Sequence, residues 1–219
     1  MNNEIEIEIE QINSKNYWNE VHKNNSRENI KIDNWLDKFI DIIKSTELPI
    51  IDLGCGIGND TLYLLQKGKT NIIPCDQSTN AINGIIDNFP EITQTKCFDM
   101  LEGLPFDDGF CDIIIADLSL HYFRRDDTEK IIKEIHRVLK VNGHLIFRVN
   151  SIRDVNHGAG KGDEIEKNLF KTGDNRLKRF FDDGDIAYFF RDFETVYVNE
   201  TSMDRYQLEK ILYEGCVRK

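Results

Sequence analysis

The sequence predicts an α/β fold: a doubly wound, mostly parallel, seven-stranded sheet with a C-terminal antiparallel strand. Three observations predict it. From Pro49 onward, short apolar runs alternate with helical patterns, the rhythm of strand–helix–strand units in a parallel sheet. The run "CDIIIADL" (111–118) is apolar on both faces, as a strand buried between two helical layers must be. Two β-rich segments near the end, "ETVYVNE" and "LEKILYEGCV", are placed to pair as a hairpin and finish the sheet.

Residues 1–45 read as an N-terminal extension with capping helices, and 46–219 as the main domain. "EIEIEIEQI" (4–12) alternates like a strand, yet Ile5, Ile9 and Ile12 also share one helical face, so its structure stays open. "KNYWNEVHKN" and "IDNWLDKFIDIIKS" carry helical patterns, the second with Trp35, Phe39, Ile42 and Ile43 as its apolar stripe. "PIIDLG" is then the first strand, and "NDTLYLLQKG" a helix closed by glycine. "NIIPCD" and "TNAINGIIDNF" repeat the unit, and "TQTKCFD" is a weaker third strand. After the "CDIIIADL" strand, "DDTEKIIKEIHRVLK" sets Ile131, Ile132, Ile135, Val138 and Leu139 on one side of a helix. The turn "VNG" leads into "HLIFRVN", the fifth strand.

After Asn150 the alternation lapses, and residues 151–180 are polar and glycine-rich, a long connection of the kind that serves as a lid. Within it, "HGAGKGDEIE" (157–166) imitates a phosphate loop. The imitation fails, because Val155 stands where the first glycine is needed and Gly162 replaces the required Ser or Thr. A helix, "DDGDIAYFFRDF", precedes the closing hairpin.

Composition narrows the function. Apolar residues make up 40% of the 219 and charged residues 31%, enough for a core and a solvated surface. A net charge of −11 argues against a nucleic-acid partner, whose binding rests on clustered Lys and Arg. Five cysteines without C-x-x-C spacing argue against a zinc site or a disulfide framework and fit a reducing, cytoplasmic setting. No apolar run is long enough to span a bilayer, so no membrane association is expected, and nothing in the sequence bears on oligomeric state.

Chemistry concentrates at "IIDLGCGIGND" (50–60), where Gly54, Gly56 and Gly58 join the first strand to its helix. Glycines here let a ligand approach the backbone, and the helix start offers free N–H groups. A dinucleotide site would need Gly or Ala at position 59, and Asn59 stands there. What is present is Asp-x-Gly-x-Gly-x-Gly, beginning at Asp52. Asp76 ends the second strand, 22 residues past Gly54, close to the offset of about 20 expected of a ribose-binding acid.

With these residues the sequence resembles the class I S-adenosylmethionine-dependent methyltransferases, whose fold is Rossmann-like. The glycine turn matches the first motif, Asp76 the residue that bridges the ribose hydroxyls, and Asp99-Met100 the pair at the adenine edge. "IIIADLSLHYF" matches the fourth-strand motif beside the reacting methyl group. The resemblance covers about residues 48–150 and implies S-adenosylmethionine as cofactor. It implies a cofactor site drawn from Tyr17, Trp18, Asp52, Gly54, Cys55, Gly56, Asn59, Asp76, Gln77, Asp99, Met100, Asp117 and Leu118. The sulfonium is cationic, so Asp52 and Asp117 are compatible with it, whereas a phosphate would be repelled.

The expected acceptor is a small molecule. Amino-methylating DNA enzymes carry [D/N/S]-P-P-[Y/F] after the fourth strand, where this chain has "DLSL", and Pro74-Cys75 sits on the wrong strand for a cytosine-C5 nucleophile. The stretches "ADLSLHYF", "FRVNS" and "MDRY" are similar to the branch that includes tellurite-resistance methyltransferases, which implies a thiol or a selenium or tellurium oxyanion. His121, Arg148 and Arg205 are the candidate catalytic residues, with Arg179 behind them, and each has a structural alternative as a packed or ion-paired side chain. The alternatives to this function are a cofactor-binding regulatory module and a methyltransferase acting on a protein partner.

Overall fold

The structure is a computed structural model describing residues 2–24, 27–173 and 176–219; the side chains of 1–11, and with them the face shared by Ile5 and Ile9, lie outside the described residues. In chain order its elements begin with α1 (Asn2–Val21), α2 (Ile40–Ser45), β1 (Ile50–Leu53), α3 (Asn59–Gln66), β2 (Ile72–Asp76) and α4 (Thr79–Asn88). The middle of the chain supplies β3 (Lys96–Cys97), β4 (Cys111–Asp117), α5 (Arg125–Val138) and β5 (Leu139–Asn150). The rest adds β6 (Asp163–Glu166), β7 (Leu169–Lys171), β8 (Leu177–Arg179), α6 (Asp183–Phe189), β9 (Glu194–Met203) and β10 (Lys210–Arg218).

Seven strands form the main sheet in the order β3-β2-β1-β4-β5-β10-β9. β1 to β5 pair in parallel, and β10 runs antiparallel between β5 and β9. This is the mostly parallel sheet with one reversed strand that the sequence predicts. Because β1 lies between β2 and β4, the crossovers leave it in opposite directions and a cleft opens at the strands' carboxyl ends. Pro74 has no N–H to give, and it sits just before Cys75, where the pairing with β3 begins.

Each face of the sheet carries a helical layer. On one side α5 and α6 bury Ile131, Ile135, Ile186 and Phe189 against Ile114, Leu145 and Phe147. On the other, Trp35, Phe39, Ile43, Tyr63, Leu64, Ile85 and Phe89 cover Ile50, Ile113 and Ile146. Burying one such side chain contributes about 1.5–3 kcal/mol, so the two layers supply the bulk of the stability.

Two local expectations are corrected, and one question the sequence left open is resolved. The N-terminal alternation folds as the start of α1, because an isolated strand would leave its N–H and C=O groups unpaired, whereas a helix pairs them internally. The helix expected at 32–45 divides into a 3₁₀ turn, Trp35–Phe39, followed by α2. The third strand shortens to two residues at the sheet's edge, where polar Thr93, Gln94 and Thr95 add nothing to the core. The 151–180 connection is also more ordered than its composition implies: β6, β7 and β8 form a separate antiparallel sheet, pinned by buried Leu169 and Phe180.

Candidate cofactor and acceptor site

A cavity of about 510 Å³ opens at the carboxyl ends of β1, β2 and β4. Its floor is the glycine turn. Gly54 has φ +79°, and a Cβ there would lie 2.4 Å from the Cβ of Ser119, so only glycine lets β1 and the end of β4 approach this closely. Gly58 has φ +90°, and a Cβ there would lie 2.7 Å from the Phe89 ring. Beneath the turn, Asp52 is buried and accepts a 2.6 Å bond from the Thr61 hydroxyl, tying β1 to α3. Burial pushes its carboxyl up to about 7 against the pull of that hydroxyl, with the charges of Asp117 and Asp76 adding to the rise.

Asp76 ends β2 with both oxygens engaged yet not saturated. Oδ2 accepts from the Gly56 N–H at 3.0 Å and Oδ1 from the Ser78 N–H at 2.8 Å. Each carboxylate oxygen can accept a second bond, so a diol fits across the pair. Burial raises its carboxyl above the ordinary range, opposed by these backbone donors and by His22. Farther along the wall, Asp99 caps the turn after β3 by accepting from the Leu101 N–H at 2.9 Å, and Met100 and Phe98 flank it.

The opposite end of the cavity is acidic. Asp60 accepts from the Trp35 indole at 2.8 Å, and burial, reinforced by Asp117 and Asp52, holds its carboxyl well above the usual range. Asp117, at the end of β4, is buried, which works to raise it, but Arg148 and Arg205 outweigh burial and hold it low. Arg148 grips it with Nε to Oδ1 at 2.6 Å and Nη2 to Oδ2 at 2.7 Å, and reaches Asp33 with Nη1 at 2.7 Å. Arg205 completes the quartet through Asp117 at 2.9 Å and Asp33 at 3.1 Å. Leu118, next in chain, sits at φ +54° with its N–H on the Arg148 carbonyl, a strained backbone of the kind found at ligand sites.

Of the residues singled out from the sequence, Trp18, Gly54, Cys55, Gly56, Asn59, Asp76, Gln77, Asp99, Met100, Asp117, Leu118 and Arg205 line this cavity. Asp52 lies beneath it as a brace. Tyr17 is one step outside, edge-on to Trp18 and covered by the Arg176 guanidinium at 4.0 Å. Arg148 lies behind the wall in its ion quartet, stacked 4.3 Å over Trp35, the geometry of the structural alternative. His121 is 1% exposed, and burial, with Lys210, Lys178 and Arg176 around it, holds its ring well below the usual value, hence neutral. Arg179 is buried against Glu166 and the carbonyls of Phe123 and Lys167.

Sequence reasoning did not single out Asp60, Ser119, Tyr122, Phe123 or Tyr206, all of which line the cavity. Tyr122-Phe123 directly follow the fourth-strand motif and Tyr206 follows Arg205, so adjacency to motif residues was the available signal. Around this mouth Trp18 meets Tyr122 edge-on at 5.1 Å, and His121 packs 4.3 Å from Tyr122.

This geometry fits S-adenosylmethionine: a diol acceptor in Asp76, a polar adenine edge at Asp99, and an acidic end for a sulfonium. Residues 51–147 match the family described as a methyltransferase domain. Over that stretch the chain carries a methyltransferase domain, and its fold is that of the class I S-adenosylmethionine-dependent methyltransferases. Among similar proteins is the tRNA N(3)-methylcytidine methyltransferase trm141 of Schizosaccharomyces pombe, 28% identical over 80% of this chain and 76% of its own length. Another is the human tRNA N(3)-cytidine methyltransferase METTL2B, 27% identical over 67% of this chain; the chain spans only 41% of that protein. The fold is shared with a methyltransferase of Methanosarcina mazei (TM-score 0.67, 19% identity, 83% of this chain and 96% of that one). It is shared also with TehB of Haemophilus influenzae (TM-score 0.61, 17% identity, 84% and 62%).

These relatives overturn the expectation of a small-molecule acceptor with no nucleic-acid partner, since by name they act on tRNA. Two physical shortcuts produced it. A net charge of −11 sums the whole surface, while counterion release depends only on side chains at the contact. The missing D-P-P-Y-type tetrapeptide speaks to exocyclic amines, and a ring nitrogen already holding an in-plane lone pair makes no such demand. Among the described residues no helix is long and apolar enough to cross a membrane.

Proposed function

We propose that the chain transfers a methyl group to a ring nitrogen of a nucleobase, N3 of cytidine in tRNA. The match to a tRNA N(3)-methylcytidine methyltransferase over 80% of the chain carries this reading. The site supports it chemically. When bound, S-adenosylmethionine supplies an electrophilic methyl on a cationic sulfur. An acceptor that must lose a proton would need a general base. Here Asp117 is held ionised between two arginines, and His121 is neutral but off the cavity wall. Cytosine N3 needs no base, because its lone pair is free at neutral pH. Its methylated product is a cation, and Asp117, held ionised, lies at that end of the cavity. Trp18, Tyr122, Phe123 and Tyr206 supply faces on which an unstacked base can rest, the mode by which single-stranded RNA is usually read.

The test offers the purified protein tRNA in parallel with tellurite, selenite and thiols, and follows S-adenosylhomocysteine. Turnover dependent on tRNA is expected. Turnover with the small nucleophiles and none with tRNA would contradict it.

A further inference from the structure

Arg205 lies in the turn between β9 and β10, lines the cavity and is only 9% exposed. Its two Nη groups are committed to Asp117 and Asp33. Its Nε–H is buried and has no hydrogen-bond partner among the described residues. Arg148, bound to the same two carboxylates, turns its own Nε onto Asp117 at 2.6 Å. The two guanidiniums thus share one acid pair, and the Nε of Arg205, the arginine that faces the cavity, is the nitrogen of the six that makes no bond to it. A buried donor without an acceptor has lost its water and gained nothing in exchange, and arginine cannot shed the proton. Such a group is explained most simply by a ligand that supplies the acceptor.

Asp117 offers the complement. Among the described residues Oδ2 accepts two bonds, from Arg148 and Arg205, while Oδ1 accepts one, from the Arg148 Nε. One lone-pair direction on Oδ1 therefore remains at the wall. Cytosine N3 lies between a carbonyl oxygen and an exocyclic amine, an acceptor and a donor on either side of the reacting atom. We propose that Arg205 orients the methyl acceptor, its Nε–H donating to the ring carbonyl oxygen beside the reacting nitrogen while Asp117 Oδ1 accepts from the amine. This deepens the cytidine reading and rests on it. In the transfer itself the N3 lone pair forms the new N–C bond and the pair of the broken C–S bond stays on sulfur. The positive charge moves to the base, and no proton is released. Uracil is refused by the same pair, since it presents a second carbonyl to the carboxylate and a proton on N3.

The test measures binding of a tRNA transcript, and of the same transcript made with 2-thiocytidine, to protein saturated with S-adenosylhomocysteine. Sulfur is the weaker acceptor, so wild type should bind the thio transcript about 10-fold more weakly, one charge-assisted hydrogen bond's worth. Arg205→Lys, with Arg205→Gln carried in parallel should the lysine variant not fold, should bind both transcripts with the same affinity. Calorimetry should find their affinity for S-adenosylhomocysteine within about 2-fold of wild type. A thio penalty equal in wild type and variants would overturn the assignment. So would a loss of S-adenosylhomocysteine affinity, which would give Arg205 to the cofactor's carboxylate instead. If wild type puts no methyl on tRNA cytidine, the cytidine reading falls and this assignment with it; methylation with an unchanged penalty removes Arg205 alone.

Discussion

Asp76 receives two backbone bonds from the protein itself, and these fix its carboxylate at the mouth of β2. Asp76→Ala should therefore remove the diol acceptor without disturbing the core, weakening S-adenosylmethionine binding at least about 10-fold by calorimetry. Asp52 behaves differently, because it is a brace. Its carboxyl is pushed from the ordinary 3.8 up to about 7, so over that span the folded chain keeps a proton that the unfolded chain has lost. Its contribution to stability is fullest below pH 3.8 and declines as pH rises towards 7. Asp52→Asn should flatten that decline in a series of thermal melts; an identical slope in both proteins would refute the assignment. These two acids were both legible as motif members, but their separate duties were not, since only burial distinguishes a brace from a ligand. The ion quartet was hidden for a related reason: Asp33, Asp117, Arg148 and Arg205 lie on four distant parts of the chain.

At the scale of elements, the strands and helices from Pro49 to Asn150 other than β3 were readable because each buries a continuous face, which writes a period into the sequence. The sheet β6–β8 was not readable. Its strands are three or four residues long, and its burial is concentrated in Leu169 and Phe180, too few positions to set a period. It nevertheless packs beside the cavity, on Tyr17 and, through His157, on Tyr206. Arg176 covers Tyr17 of α1, and Lys178 donates to the His157 carbonyl at 2.6 Å. We propose that this segment closes over bound substrate. Cleavage at the exposed Lys161 should slow when S-adenosylhomocysteine and tRNA are both present. An unchanged rate would make the segment a connector. α1 is tied to the same edge through Asn19, whose side-chain oxygen accepts from the Ser78 hydroxyl at 2.9 Å and whose backbone carbonyl accepts from the Asn80 amide at 2.8 Å.

For the whole molecule, the proposed tRNA acceptor can be held through the base pocket or along a track of phosphate contacts, and salt dependence separates the two. Each phosphate neutralised contributes a slope of about −0.7 to −0.9 in log K against log salt. If the base pocket dominates the proposed contact, the total slope should be no steeper than about −3, measured by tRNA binding from low to physiological salt. A much steeper slope would mean that a basic track, and not the base pocket, dominates. The central claim is tested most directly by one measurement. The protein is incubated with tRNA and methyl-labelled S-adenosylmethionine, and the digested nucleosides are read by mass spectrometry. Label in 3-methylcytidine, lost with Asp76→Ala, is the predicted result; label in another nucleoside, or none in tRNA while small nucleophiles are methylated, would contradict it.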